Sequence, residues 1–160
     1  MDSLGLGDAP PRREARTLDP ASLLPHNRRR YNTVTAAPME RVSARILVVE
    51  DVEDIRIATV EALAHAGYDV LGAHSAEAAL SLLAEEPTIG VLFTDIVLGR
   101  GLDGYQLAER AVALRPRLKV LYTTGYAARA REASPAGRLL PKPYRAAQLL
   151  REVSVLIEAP

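Results

Sequence analysis

The chain has 160 residues, 48% of them hydrophobic and 25% charged, with 20 basic against 20 acidic side chains. That composition suits one soluble globular domain with room for a tail, and a formal net charge of zero selects neither a nucleic acid nor a membrane surface as partner. The absence of cysteine excludes disulfides, thiolate metal sites and cysteine nucleophiles; no apolar run approaches the roughly 20 residues of a membrane span, and no apolar stretch near the N-terminus reads as a secretory signal.

Residues 1–43 differ from the rest. They carry Pro10, Pro11, Pro20, Pro25 and Pro38, the basic clusters Arg12-Arg13 and Arg28-Arg29-Arg30, and no clear apolar period. This composition predicts a disordered or loosely attached tail. The Arg28–Arg30 cluster has the charge to touch phosphate or acidic lipid, but three arginines in such a tail are more often simply solvated. Met39 offers an alternative start, "MERVSARILVVED", that would lead almost directly into the first strand.

Regular patterning begins at residue 44. Strands are predicted at "ARILVVE" (44–50), "YDVLGAH" (68–74), "IGVLFTD" (89–95), "KVLYTTG" (119–125) and "RLLPKP" (138–143). Several are continuously apolar, as in parallel strands covered on both faces. Helices fill the gaps. The first runs from about Glu53 to Ala66, with Gly67 as its stop. Ser75 caps the second, with Glu77 in its first turn, and Pro87 lies just past its end. Asp103 caps the third, which Pro116 closes. A short, mobile helix is expected in "YAARAREASPAG". The last helix begins near Tyr144, with Leu149, Val153 and Leu156 as its apolar stripe. Five βα units predict an α/β, doubly wound, five-stranded parallel sheet with helices on both faces.

Ligands of such a sheet bind beyond the carboxyl ends of its strands. The first strand ends in Glu50-Asp51, the third in Asp95, the fourth in Thr123-Thr124-Gly125, and the fifth in Lys142 before Pro143. Three carboxylates brought together repel one another and require compensation. Lys142 and a hard cation such as Mg²⁺, which takes oxygen ligands, would supply it. An aspartate beside a metal, a lysine and a threonine hydroxyl is equipped to accept a phosphoryl group. Each signal has a plainer explanation: an acid after a strand is usually a helix cap or turn residue, and Thr-Thr and Lys-Pro are ordinary pairs. It is their joint occurrence, at successive strand ends, that carries weight.

With these residues in view, residues 44–158 resemble a response-regulator receiver domain of two-component signalling. The resemblance implies a flavodoxin-like strand order 2-1-3-4-5, an order that doubly wound receiver proteins are known to show. "LVVED" matches the family's acid pair, implying that Glu50 and Asp51 bind Mg²⁺. "LFTDIVL" matches the phosphoacceptor strand, making Asp95 the phosphorylation site and a metal ligand, with the backbone carbonyl of Val97 as a further ligand. "LYTTGY" matches the switch strand and selects Thr124, ahead of the small Gly125. "LLPKP" makes Lys142 the phosphate-contacting lysine. The chain departs from the family in two places. The loop "IVLGRGLDG" lacks the Met-Pro pair of many receivers, and the switch-aromatic position is Leu139, with Tyr126 as a possible substitute. "VLYTTGYA" with "LLPKPY" is most similar to receivers of hybrid sensor kinases and partly similar to the FAT GUY receivers of alphaproteobacteria.

The resemblance implies a cytoplasmic single-domain response regulator, because the last helix ends near the end of the chain. It would take phosphate from a sensor histidine kinase or a histidine phosphotransfer protein. Its output would be a phosphorylation-dependent surface for a downstream protein target, near the helix before the last strand, that strand and the last helix. A relay or phosphate-sink role fits equally well. No nucleic-acid partner and no membrane insertion are expected. The protein would not be an enzyme beyond catalysing its own phosphorylation and dephosphorylation. Two alternatives compete with this reading. A pseudo-receiver interaction module would never take phosphate, and Leu139 keeps that alternative open. A haloacid-dehalogenase-like phosphatase would need an acid two residues after the nucleophile, where this chain has Val97, and late rather than early metal-binding acids. No P-loop motif is present.

Overall fold

β1 (Arg45–Val49) is Arg-Ile-Leu-Val-Val, and from Ile46 onward every residue is buried. A strand without a polar face must be covered on both sides, and the sheet built around it is. The computed structural model describes residues 44–126 and 137–160. The expected tail over 1–43 and nearly all of the expected short helix over 126–137 lie outside the described residues. β2 (Val70–Ala73), β3 (Ile89–Asp95), β4 (Lys119–Thr124) and β5 (Arg138–Pro141) complete a five-stranded, wholly parallel sheet in the order β2-β1-β3-β4-β5. This is the doubly wound order expected from the sequence.

Four helices cover the sheet among the described residues: α1 (Glu53–His65), α2 (Ala76–Glu85), α3 (Gly104–Leu114) and α4 (Ala146–Glu158). Strand side chains alternate between the two faces. Ile46, Val48, Val91, Phe93, Leu121 and Leu140 pack with Leu63 of α1 and with Leu149, Val153 and Leu156 of α4. Leu47, Val49, Leu92, Val120 and Tyr122 face the other way, against α2 and α3. Leu149 is 1% exposed, and truncating a buried leucine of this kind to alanine costs about 2–5 kcal/mol.

The helix boundaries follow local chemistry. α1 stops at Gly67, whose φ of +91° suits glycine. Ser75 caps α2, its hydroxyl accepting from the Ala78 N–H at 3.1 Å. Asp103 caps α3 through a reciprocal pair: its carboxylate accepts from the Gln106 N–H, and Gln106 Oε1 accepts from the Asp103 N–H. The last helix starts two residues later than the sequence suggests, at Ala146 rather than near Tyr144. Tyr144 is instead drawn into the core, where its ring meets Phe93 edge-on at 6.0 Å. Tertiary packing overrides local propensity at this point.

Since all strands are parallel, their carboxyl ends share one edge of the sheet. From β1 the chain crosses to β2 on one side, then returns to place β3 on the other. The crevice opened by that reversal lies above the ends of β1 and β3.

Candidate functional site

Glu50 follows β1, Asp95 ends β3 and Lys142 follows β5. They continue the side-chain alternation of the α1/α4 face, and so converge although they are far apart in the chain. Lys142 Nζ donates to Asp95 Oδ2 at 2.6 Å and to Glu50 Oε2 at 2.9 Å. Glu50 is 4% exposed and Asp95 8%. Two carboxylates so nearly buried would repel each other without the ammonium between them.

Backbone groups fix the acids further. The Val97 N–H donates to Asp95 Oδ1 at 2.9 Å, and the Val52 N–H to Glu50 Oε1 at 3.2 Å. Arg56 on α1 donates to the Glu50 carbonyl at 2.9 Å, tying the first turn of the helix to the strand end. The α1 N-cap is Val52, without a side-chain capping bond. Neither Glu50 nor Asp51 therefore caps α1.

Burial raises the Glu50 carboxyl above its usual range; the Lys142 ammonium and the Val52 N–H only partly offset it. For Lys142, burial works to lower the pKa, but the hydrogen bonds and charges of Asp95 and Glu50 outweigh burial and hold it above the ordinary lysine value.

The remaining predicted residues lie on neighbouring strand ends and loops. Asp51 is exposed, and a side chain placed on Gly99 would come within 2.8 Å of its Oδ2, so it lies against the loop that follows Asp95. Thr124 is buried, and its hydroxyl accepts from the Tyr126 N–H at 3.0 Å. Tyr126 is 66% exposed, and Leu139, at the switch-aromatic position, is 37% exposed. Leu139 pairs in register with Tyr122, whose ring is buried against Tyr105. Thr123, the register partner of Asp95, is also buried. Neither the Tyr122 nor the Thr123 hydroxyl has a hydrogen-bond partner among the described residues.

The donor set of Glu50, Asp51, Asp95 and the Val97 carbonyl consists only of hard oxygens, the chemistry that Mg²⁺ takes. The residues fit that ion in kind. Among the described residues, no three acids or histidines are gathered closely enough to form a ready-made metal cluster, and Lys142 stands between two of the acids. Beside the triad lies a mostly apolar groove of about 660 Å³, lined by Ile55, Ala58, Gly125, Pro143 and Tyr144 with the charged Asp54 and Lys142. Sequence reasoning missed Arg56 and Tyr144 as parts of this edge. An aromatic directly after Lys-Pro was the available signal for Tyr144, whereas nothing local marks Arg56.

Residues 46–154 match the family described as the response regulator receiver domain. The chain belongs to that family. Among its relatives is the response regulator receiver protein CpdR of Brucella abortus (strain 2308), 38% identical over 119 residues, which span 72% of this chain and 98% of that protein. The sensor kinase CckA of the same organism is 32% identical over 121 residues, 72% of this chain but only 13% of the kinase. Among solved structures, the response regulator receiver protein of Sinorhizobium medicae WSM419 superimposes with a TM-score of 0.67 at 30% identity, covering 73% of this chain and 96% of that one. For a receiver domain, the acidic crevice at the ends of β1 and β3 is the place where function is sought.

Proposed function

We propose that this receiver accepts a phosphoryl group on Asp95 from a histidine kinase or a histidine phosphotransfer protein, with Mg²⁺ held by Glu50, Asp51, Asp95 and the Val97 carbonyl. The observation that carries this reading is the contact of Lys142 with Asp95 at 2.6 Å. It holds the Asp95 carboxyl group at the rim of a buried edge, with a cation already in place for arriving phosphoryl oxygens.

In the transfer, an Asp95 carboxylate oxygen attacks phosphorus. The new O–P bond forms as the P–N bond to the donor imidazole breaks, and the imidazole, already protonated on its other nitrogen, leaves with the electron pair as a neutral ring. Val97 N–H orients the carboxylate, and Lys142 follows the charge onto the phosphoryl oxygens. The bound metal ion would supply further charge compensation there. Water later releases phosphate, so the only chemistry catalysed is the protein's own phosphorylation and dephosphorylation.

Thr124 supplies the readout. Its hydroxyl is bound to the Tyr126 N–H; turning it toward the phosphoryl group gives up that bond and frees the Tyr126 peptide. Phosphorylation thereby shifts a two-state equilibrium, and the altered surface binds a downstream protein target or the group is passed on in a relay or sink. A donor must approach Asp95 closely, and Val52, Ile55 and Val97 are exposed around it, giving an apolar rim for the donor protein. A cytoplasmic location belongs to this reading, because the donor kinase presents its phosphohistidine there.

The deciding experiment is intact-protein mass after incubation with acetyl phosphate, with and without Mg²⁺, for wild type and Asp95→Asn. One phosphoryl group gained only with Mg²⁺ and only by wild type is the expected result. No gain, with a cognate kinase also failing, would leave a pseudo-receiver, the alternative that Leu139 keeps open.

A further inference from the structure

Glu77 opens the first turn of α2, yet its carboxylate serves a different element. A methyl group on Gly101 would come within 2.3 Å of Glu77 Oε1 and 3.1 Å of its carboxyl carbon. Gly101 has φ +84°, a conformation that side chains rarely adopt. The loop between β3 and α3 thus turns at a glycine and lays its backbone directly on the Glu77 carboxylate. Glu77's own N–H, the Leu102 N–H, the Ser75 hydroxyl and the charge of Arg110 together outweigh the opposing effect of burial and hold this carboxyl below its usual range.

The loop is short and tied down at both ends. At one end the Val97 N–H donates to Asp95 Oδ1 at 2.9 Å. At the other, Asp103 caps α3 and the Gly104 N–H donates to the Ile96 carbonyl at 2.9 Å. Residues 98–102 run between these ties; Glu77 meets the stretch at Gly101, and Asp51 meets it at Gly99. A displacement at Gly101 would be passed along this short span toward the cap of α3 on one side and the Val97 peptide on the other.

We propose that Glu77 is a positioning residue for the acidic site: its carboxylate anchors the loop between β3 and α3 and so fixes the Val97 peptide against Asp95. Its importance for phosphorylation rests on the reading given under Proposed function. The competing role is that of an acid at a helix N-terminus, which interacts only with the dipole of α2. The two differ in what glutamine can replace. An anchor needs an acceptor oxygen, which glutamine keeps; a dipole partner needs the charge, which glutamine loses.

The test compares wild type, Glu77→Gln and Glu77→Ala in the full chain. Amide hydrogen exchange at Val97 and Leu102 is followed by NMR without metal, and Mg²⁺ affinity is measured by calorimetry. Glu77→Ala should speed exchange at both amides and weaken Mg²⁺ binding by about tenfold, the lower end of what loss of a metal site's supporting contacts costs. Glu77→Gln should restore most of both. Unchanged exchange at Val97 in Glu77→Ala, or Glu77→Gln behaving like Glu77→Ala, would overturn the anchor. Absence of Mg²⁺ binding by wild type would instead strike the phosphoacceptor reading, and the exchange rates alone would then decide for or against Glu77. A cycle adding Gly101→Ala supplies a second readout: its methyl overlaps Glu77 Oε1, so its cost should be smaller on a Glu77→Ala background than on wild type. Equal costs on the two backgrounds would count against the contact.

Discussion

Lys142 Nζ lies 2.6 Å from Asp95 Oδ2 and 2.9 Å from Glu50 Oε2, so one ammonium serves two nearly buried carboxylates. Lys142→Ala would leave both acids facing each other. The expected loss is about 2 kcal/mol, less than the roughly 3–5 kcal/mol for breaking a fully buried pair, because the lysine is partly open to water. Urea unfolding at neutral pH measures it. The raised pKa of Lys142 sets the sign with alkali: the contribution is complete below the ordinary lysine value and is lost only as pH rises through the higher folded value.

Acid should disable the site before it unfolds the domain. Burial raises the Glu50 pKa above 4.5, so this carboxylate takes up its proton while the pH is still above the ordinary glutamate value. A raised carboxyl pKa means that protonation favours the fold, whereas a metal donor must be ionised. Mg²⁺ affinity measured at descending pH should therefore begin to fall above pH 4.5, with the far-ultraviolet circular dichroism unchanged. Affinity that stays constant down to that pH would count against Glu50 as a ligand.

Gly104 has no room for a side chain. A methyl group there would sit 2.0 Å from the Asp95 carbonyl oxygen and 2.9 Å from Ile96 Cα, both backbone atoms. Neither can swing aside as a flexible side chain would. Gly104→Ala is expected to cost at least about 2 kcal/mol and to displace the start of α3 from the end of β3. Loss of phosphorylation together with a lowered melting temperature is the expected outcome.

The two threonines of β4 should separate cleanly. The Thr123 hydroxyl is buried with no partner among the described residues, so Thr123→Val exchanges it for a methyl group of the same shape. That change should stabilise the fold by about 1 kcal/mol and leave acetyl phosphate labelling intact. Thr124→Val removes the acceptor for the Tyr126 N–H and should uncouple phosphorylation from any change at Tyr126, read from its NMR shifts. Equal effects of the two variants on that readout would contradict the assignment of Thr124.

Much of this architecture was legible in the sequence. Continuous apolar runs marked β1 and β3 as doubly covered strands, and β3 matches its predicted span residue for residue. The caps Ser75 and Asp103 and the stop at Gly67 act locally, so local chemistry sufficed to find them. The acids, the threonines and the lysine were visible because a strand end is a recognisable place in a parallel sheet. What remained hidden depends on residues meeting across the fold. That Asp51 would lie against Gly99 and that Tyr144 would leave its helix for Phe93 are matters of packing between distant segments. Glu77 is the sharpest case. In sequence it is an ordinary first-turn acid, and only the approach of Gly101 gives its carboxylate a second task.

The strand order has a consequence for how this protein is made. Chain emerging from a ribosome delivers β1 first, but its partners on the two sides are β2 and β3, and Glu50 acquires its counter-ion only when Lys142 arrives, 92 residues later. Until β5 is synthesised, the nascent chain holds two carboxylates at an unfinished sheet edge with no ammonium between them. Glu50 and Asp95 thus gain their shared ammonium late in synthesis, so no nascent fragment that ends before Lys142 can display the completed triad.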